Sequence, residues 1–382
     1  MKDVAAVAVA LLAACTRPDP ALEAQALATK VAEAPALPTA SPASVTVDVS
    51  KQSLTLDRYE RLVLGLADCK LERHQIDASC PAMVALAAAM RESAAWADRA
   101  SVDRELGRRL IAHPAPAIRV HAAVMLARTP DGADAIAAVA ATERHAGVLQ
   151  AFVRSVAHAS ERPQVAQMLL AAARHADRDV RLEAVAALVA RDVPGAAAQL
   201  AQLAEHDSDA DVRAAACSGA GKLGDHALLP VYERLTATPA DPRLYAACME
   251  GLVAMFHDHP WFDTADQGAY DLFLRRIEQA PRSDVAPPWN VMSTFCYFSH
   301  ESDLDKLAAW KQRAPWFDAA RVRRALASVI ADHAASWMAR TAAIESMVGL
   351  GAAPAELAAL KHGLRTTDPG DKQVLDKLAS VR

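Results

Sequence analysis

The sequence predicts an all-α solenoid of stacked helix pairs, and three observations carry that expectation. The segment His175-Ala176-Asp177-Arg178-Asp179-Val180-Arg181-Leu182-Glu183-Ala184 returns 32 residues later as Asp207-Ser208-Asp209-Ala210-Asp211-Val212-Arg213-Ala214-Ala215-Ala216. Both copies place acids two and four residues before an arginine and an alanine three residues after it. A fixed period marks an array in which each unit buries its apolar face against its neighbours. Alanine dominates the apolar fraction and only 14 of 382 residues are glycine, a composition that favours helices. Each unit also reads as helix, break, helix: Gln164 to Ala173, a polar break from His175 to Asp179, then Val180 to Ala190.

Weaker copies extend the array. Ile118-Arg119-Val120-His121-Ala122 lies 62 residues before Val180-Arg181, and halfway between them Leu149-Gln150-Ala151-Phe152-Val153 keeps the apolar pattern without the arginine. Asp241-Pro242-Arg243-Leu244-Tyr245 continues it downstream, and Met338-Ala339-Arg340-Thr341 is a late member.

In chain order, Met1-Lys2-Asp3 precedes eleven apolar residues, Val4 to Ala14, and then Cys15. A membrane span needs about 20 such residues, so residues 1–14 fit a secretory leader instead. Leu12-Ala13-Ala14-Cys15 resembles the lipobox of bacterial lipoproteins. The resemblance implies lipidation of the Cys15 thiol and cleavage before it. Thr16, where an aspartate would imply inner-membrane retention, points to the outer membrane facing the periplasm. The alternative is a cytosolic chain with an alanine-rich start. Residues 15–50 carry Pro18, Pro20, Pro35, Pro38 and Pro42 and read as a disordered tether, with a span of about 30–35 Å.

Residues 51–100 are expected to form an N-terminal helical cap. Leu56, Tyr59, Leu62, Val63 and Leu66 share a helical face, and Pro81 suits the first turn of a second helix. Cys69 and Cys80 bracket a polar loop between them. In an oxidising compartment the spacing reads as a disulfide worth roughly 2–3 kcal/mol; in a reducing one it reads as two free thiols.

Residues 101–256 hold the clearest repeats. The break acids Asp177, Asp179, Asp209 and Asp211 are placed to cap the following helices. Arg119, Arg181, Arg213 and Arg243 either pair with break acids of a neighbouring unit, forming a ladder, or are solvated. Small Ala184 and Ala216 would let paired helices approach. The pattern resembles HEAT repeats, in particular the short bilin-lyase-like kind, and the resemblance implies a scaffold that presents an extended surface to a protein or peptide. Cys217 and Cys248 fall 31 apart. Stacked helices lie about 8–10 Å apart, beyond the roughly 7 Å Cα limit of a disulfide, so both are expected to be buried thiols, as is Cys296.

Residues 257–382 are irregular. Twelve of the 18 aromatics fall between 256 and 317, and Pro260-Trp261-Phe262-Asp263 recurs as Pro315-Trp316-Phe317-Asp318. Large side chains there either fill an irregular core or, at Trp261, Phe262, Trp289 and Trp316, anchor a partner.

Little in the sequence carries chemistry. The formal net charge is −5, and Arg108-Arg109, Arg275-Arg276 and Arg323-Arg324 are isolated pairs, which speaks against a nucleic-acid partner. His257-Asp258-His259, with Asp263 and Asp266, is the one dense candidate metal cluster, though neighbours on one loop rarely converge on an ion. Di-iron hydroxylases of HEAT type use several His-Glu pairs; only His300-Glu301 occurs here, so that likeness fails. No phosphate loop or nucleophile elbow is present. The expectation is a lipid-anchored envelope scaffold with no catalytic residue, cofactor or metal. The competing expectation is an exported metal-binding protein or enzyme centred on residues 257–266.

Overall fold

The computed structural model describes residues 56–92, 99–159, 161–190, 193–238, 241–256, 266–279, 312 and 314–381. Cys15 and the stretch around it lie outside these residues, as do His257-Asp258-His259, Trp261, Phe262, Asp263, Trp289, Cys296 and His300-Glu301. The described residues form 17 α-helices and a single two-stranded sheet. None of those helices is long and apolar enough to cross a membrane.

The chain enters through α1 (Leu56–Leu64), whose Tyr59 and Val63 are buried. The segment expected to be a polar loop is a hairpin, β1 (Leu71–Glu72) against β2 (Gln75–Ile76), antiparallel with Leu71 opposite Ile76. Strands of two residues are too short for alternation to reveal them. Helix α2 (Pro81–Glu92) follows.

Five helix pairs then stack: α3 (Arg99–Leu110) with α4 (Pro116–Leu126), α5 (Gly132–Ala140) with α6 (Ala146–Val156), α7 (Pro163–Ala172) with α8 (Arg178–Ala190), α9 (Ala196–His206) with α10 (Ala210–Lys222), and α11 (Leu229–Ala237) with α12 (Pro242–Phe256). Second helices pack on second helices (α4, α6, α8, α10, α12), and first helices form the other layer. The second helices start in register. Asp177 Oδ1 accepts the amides of Asp179 and Val180; Asp209 does so for Asp211 and Val212; Asp241 does so for Arg243 and Leu244. Each carboxylate thereby satisfies amides that lack partners within the helix and sits at the favourable end of its dipole. Three residues past the caps of α4, α6, α8 and α10, counting Ala115 and His145 as the first two, Ile118, Val148, Val180 and Val212 are fully buried. This apolar row is the spine of the core.

Beyond the array lie α13 (Gln267–Gln279), α14 (Ala319–Ala331), α15 (Trp337–Gly349), α16 (Pro354–Ala359) and α17 (Pro369–Ser380). Asp318 caps α14, Ser336 caps α15 and Asp368 caps α17.

Candidate binding surface along the repeat array

The ladder is present: Arg181 and Arg213 pair with Asp207 and Asp241, acids in the break of the following unit. Arg181 gives Nε and Nη2 to the two carboxylate oxygens of Asp207, at 2.8 and 2.9 Å. Its Nη1 donates to the carbonyls of His175 and Ala176. Arg119 repeats the arrangement with Glu143, at 2.7 and 3.0 Å, and with the carbonyls of His113 and Pro114. Arg213 binds the carbonyls of Asp207 and Ser208 and reaches Asp241 at 3.3 Å. Each arginine sits four residues after its helix cap, closes the loop before its own helix, and crosses to the loop before the next. Side-chain exposure is only 11% for Arg181 and 4% for Asp207. Such a pair is charge-assisted, bidentate and mostly dry, so it outweighs the 0–1 kcal/mol of an exposed pair.

The rim adds a second row of pairs. Asp179 meets Arg178 of its own unit, whereas Asp211 crosses repeats to Arg178 on one side and Arg243 on the other. Arg243 thus pairs with a break acid of a neighbouring unit, though not at the position of the inner rung. Counting from the caps, the position of Arg181 and Arg213 falls on Tyr245, which is buried. Arg243 occupies the place of Asp179 and Asp211, its side chain is 68% exposed, and it pairs with Asp211. The true acid of the rung, Asp207, lies two residues before a cap, a position also held by Glu143. That signal stood in the sequence at the head of the second copy.

The missing rung has a counterpart. At Leu149, where the arginine is lost, the loop of the next unit carries His175 in place of an acid. His175 Nδ1 instead accepts the amide of Asp177, as His113 does for Ala115. Arginine and acid, or leucine and histidine, thus occur together across a repeat boundary.

Clefts lie between successive first helices. One of about 510 Å³ between α5 and α7 is lined by Ala137, Ala141, Leu149, Met168 and Ala171. The next, of about 940 Å³ between α7 and α9, is lined by Arg174, Gln199, Gln202 and His206 around the Arg181–Asp207 pair. Arg174 Nε holds Gln199 Oε1 at 2.7 Å.

Cys217 and Cys248 form a disulfide, with Cα atoms 4.9 Å apart, where free thiols were expected. Glycine overturns the usual helix spacing. A Cβ on Gly221 would lie 1.9 Å from the Gly251 carbonyl oxygen, and one on Gly251 would lie 2.6 Å from the Cys217 carbonyl oxygen. Without those side chains α10 and α12 meet backbone to backbone. Cys69 and Cys80 are also bonded, with Cα atoms 5.7 Å apart.

Both ends of the described body hold buried polar clusters. At the cap, Tyr59 Oη lies 3.4 Å from both Asp103 Oδ1 and His121 Nε2, and Arg99 reaches Asp103. Burial, with Arg128 and Arg99 nearby, pushes the His121 pKa down to about 4. Burial also raises Asp103 above the usual carboxylate range, against Arg99 and Arg128. At the other end Arg340 donates to the Ile330 carbonyl and pairs with Asp371 at 2.7 Å. Burial raises the Asp371 pKa, but the Arg365 amide, Arg340 and His333 together hold it below the ordinary value.

The remaining candidates serve packing or rim pairs. Trp316, half-buried, packs at a tilt against Tyr270 with ring centroids 4.8 Å apart. Asp266 binds His226 Nδ1 at 2.8 Å and caps α13 through the Ala269 amide. Among the described residues no three His, Cys, Asp or Glu side chains converge as a metal site would require. Arg109, Arg275 and Arg323 pair with Glu60, Glu233 and Glu356.

No curated protein matches the chain. Residues 166–252 match the family of HEAT repeats, a stretch that runs from α7 through α12 and holds the Arg181 and Arg213 rungs and the Cys217–Cys248 bond. Those residues are similar to HEAT repeats, and the stack of helix pairs around them is HEAT-like in architecture.

Proposed function

We propose that the chain is a lipid-anchored scaffold of the bacterial envelope, held by Cys15 on a proline-rich tether, which binds a protein or peptide through its repeats and catalyses nothing. The observation that carries the binding role is the continuous stack of five helix pairs, since HEAT repeats commonly mediate protein interactions and the shape of a solenoid is its binding device. Two disulfides support the compartment, because such bonds persist where the surroundings are oxidising.

The anchor is tested by the intact mass of the protein made in a bacterial host from its own start codon. Cleavage before Cys15 plus acyl chains is expected; an unlipidated mass starting at Met1 would sink the anchor. The scaffold role is tested by retention of a specific partner from an envelope extract by the purified chain. Metal analysis of the same material checks the competing reading: stoichiometric metal lost with His257→Ala and His259→Ala would replace the scaffold by a metal protein.

A further inference from the structure

The two clefts between first helices differ in one respect set by the ladder. In the α5–α7 cleft the rung position is Leu149, and the one carboxylate in its lining, Glu143, is taken by Arg119 at 2.7 Å. Its floor and walls are mostly apolar, Leu149, Met168 and alanines, with the uncharged Gln164 and Gln167 amides at the side. In the α7–α9 cleft Asp207 is neutralised by Arg181. Arg174, however, is exposed and forms no ion pair among the described residues, and the exposed His206 and Gln202 flank the same cleft. Among the described residues Arg174 is met by the Gln199 amide oxygen and by no carboxylate, so the cleft carries a net positive charge. The two share α7 as a wall, so they sit one repeat apart, about 8–10 Å for stacked helices. A polyproline II segment advances about 3.1 Å per residue with three residues per turn. Side chains three apart therefore lie on one edge about 9 Å from each other, which matches the step of the array.

We infer that the α5–α7–α9 groove docks an extended, polyproline II-like protein segment carrying an apolar side chain and a carboxylate three residues apart. The apolar group enters the cleft lined by Leu149 and Met168, and the carboxylate meets Arg174. Charge complementarity selects this occupant: a basic segment would meet Arg174 with repulsion, and a wholly apolar one would strand the guanidinium and Gln202 against it. The inference rests on the scaffold reading and names the place and chemistry of its partner.

The test uses the full chain and a set of acetylated, amidated ten-residue peptides with proline and alanine spacers. One leucine is fixed and one glutamate is walked two to five residues to either side; binding is read by fluorescence anisotropy. Tightest binding is expected at a separation of three, with a loss of about fivefold on replacing glutamate by glutamine, the value of one partly screened pair. Arg174→Glu should turn the preference from glutamate to lysine, and Ala171→Glu should remove the preference for leucine. Both positions are exposed, so the variants should fold, and unchanged helical circular dichroism would show that they do. Binding indifferent to spacing, binding that survives both substitutions, or no binding by any peptide would overturn the groove assignment. An envelope partner retained equally by wild type and the double variant would also overturn it while leaving the scaffold standing. Retention of nothing by either protein counts against the scaffold itself.

Discussion

Arg181 and Arg340 hold the same place in their repeats, four residues after the capping Asp177 or Ser336, yet they live in different surroundings. Arg181 keeps 11% of its side chain in water and shares Asp207 bidentately. Arg340 keeps 2%, and its partner Asp371 none. The cap shows the same contrast, with Tyr59, Asp103 and His121 all buried. A middle repeat has a neighbour on each side, and its polar side chains need only bridge two loops at the rim. An end unit has one neighbour and is fastened by a cluster peculiar to itself. Regular rungs set the shape of the stack, while unique buried clusters hold its ends.

The sharpest way to break this contrast is Asp371→Ala, which strands a buried guanidinium. A loss of about 3–5 kcal/mol is expected, read as faster hydrogen exchange across α15 and α17. A loss below about 1 kcal/mol would make the end no different from the middle. Next comes the bond inside the array. Cys217→Ala with Cys248→Ala opens a 31-residue loop and should lower stability by about 3.5 kcal/mol in urea unfolding, with α11 and α12 released first. Unfolding indifferent to the pair would show that the glycine contact alone holds α10 to α12.

The cap cluster adds a pH effect. The folded His121 pKa is about 4, against a usual 6.5. Between those values the unfolded chain binds the proton that the folded chain refuses, so stability is full above pH 6.5 and declines as pH falls towards 4. The decline attributable to His121 is on the order of 3 kcal/mol, and His121→Gln should flatten it in denaturation midpoints measured across that window. An unchanged slope would assign it elsewhere.

The smallest effect tests the rung. Arg181→Leu alone should cost about 2 kcal/mol by leaving Asp207 without its cation. Adding Asp207→His copies the Leu149–His175 boundary and should recover more than half. A double-variant cycle showing additive losses would mean that the two boundaries do not exchange.

The same division sets what could be read from the letters. Stacked pairs, the break acids as caps, and a ladder of arginines were legible because they recur. The arginines were expected to meet break acids of a neighbouring unit, and Arg181 with Asp207 and Arg213 with Asp241 do so; only the cap register shows which acid it is and that Tyr245, not Arg243, takes the next place. The Cys217–Cys248 bond was rejected on an average helix spacing that Gly221 and Gly251 set aside. The register announces the place of Arg340 but not its partner Asp371, and nothing announces Tyr59 meeting Asp103 and His121; these clusters join residue types that the other units do not carry there.

The hairpin of the cap carries one more consequence. Its tip rests on α6: a Cβ on Gly147 would lie 2.0 Å from the Arg73 carbonyl oxygen, and His74 Nε2 meets Arg154 across 80 residues of chain. The cap is therefore seated on the second helix pair as well as on the first. At roughly 5–20 residues per second, a nascent chain carries its cap for about 4–16 s before Arg154 is made. In that interval β1, β2 and the Cys69–Cys80 loop lack their platform, so the part made first finishes late. Protease cleavage near Arg73, sampled as the chain lengthens, would then act as a clock for the folding of α6.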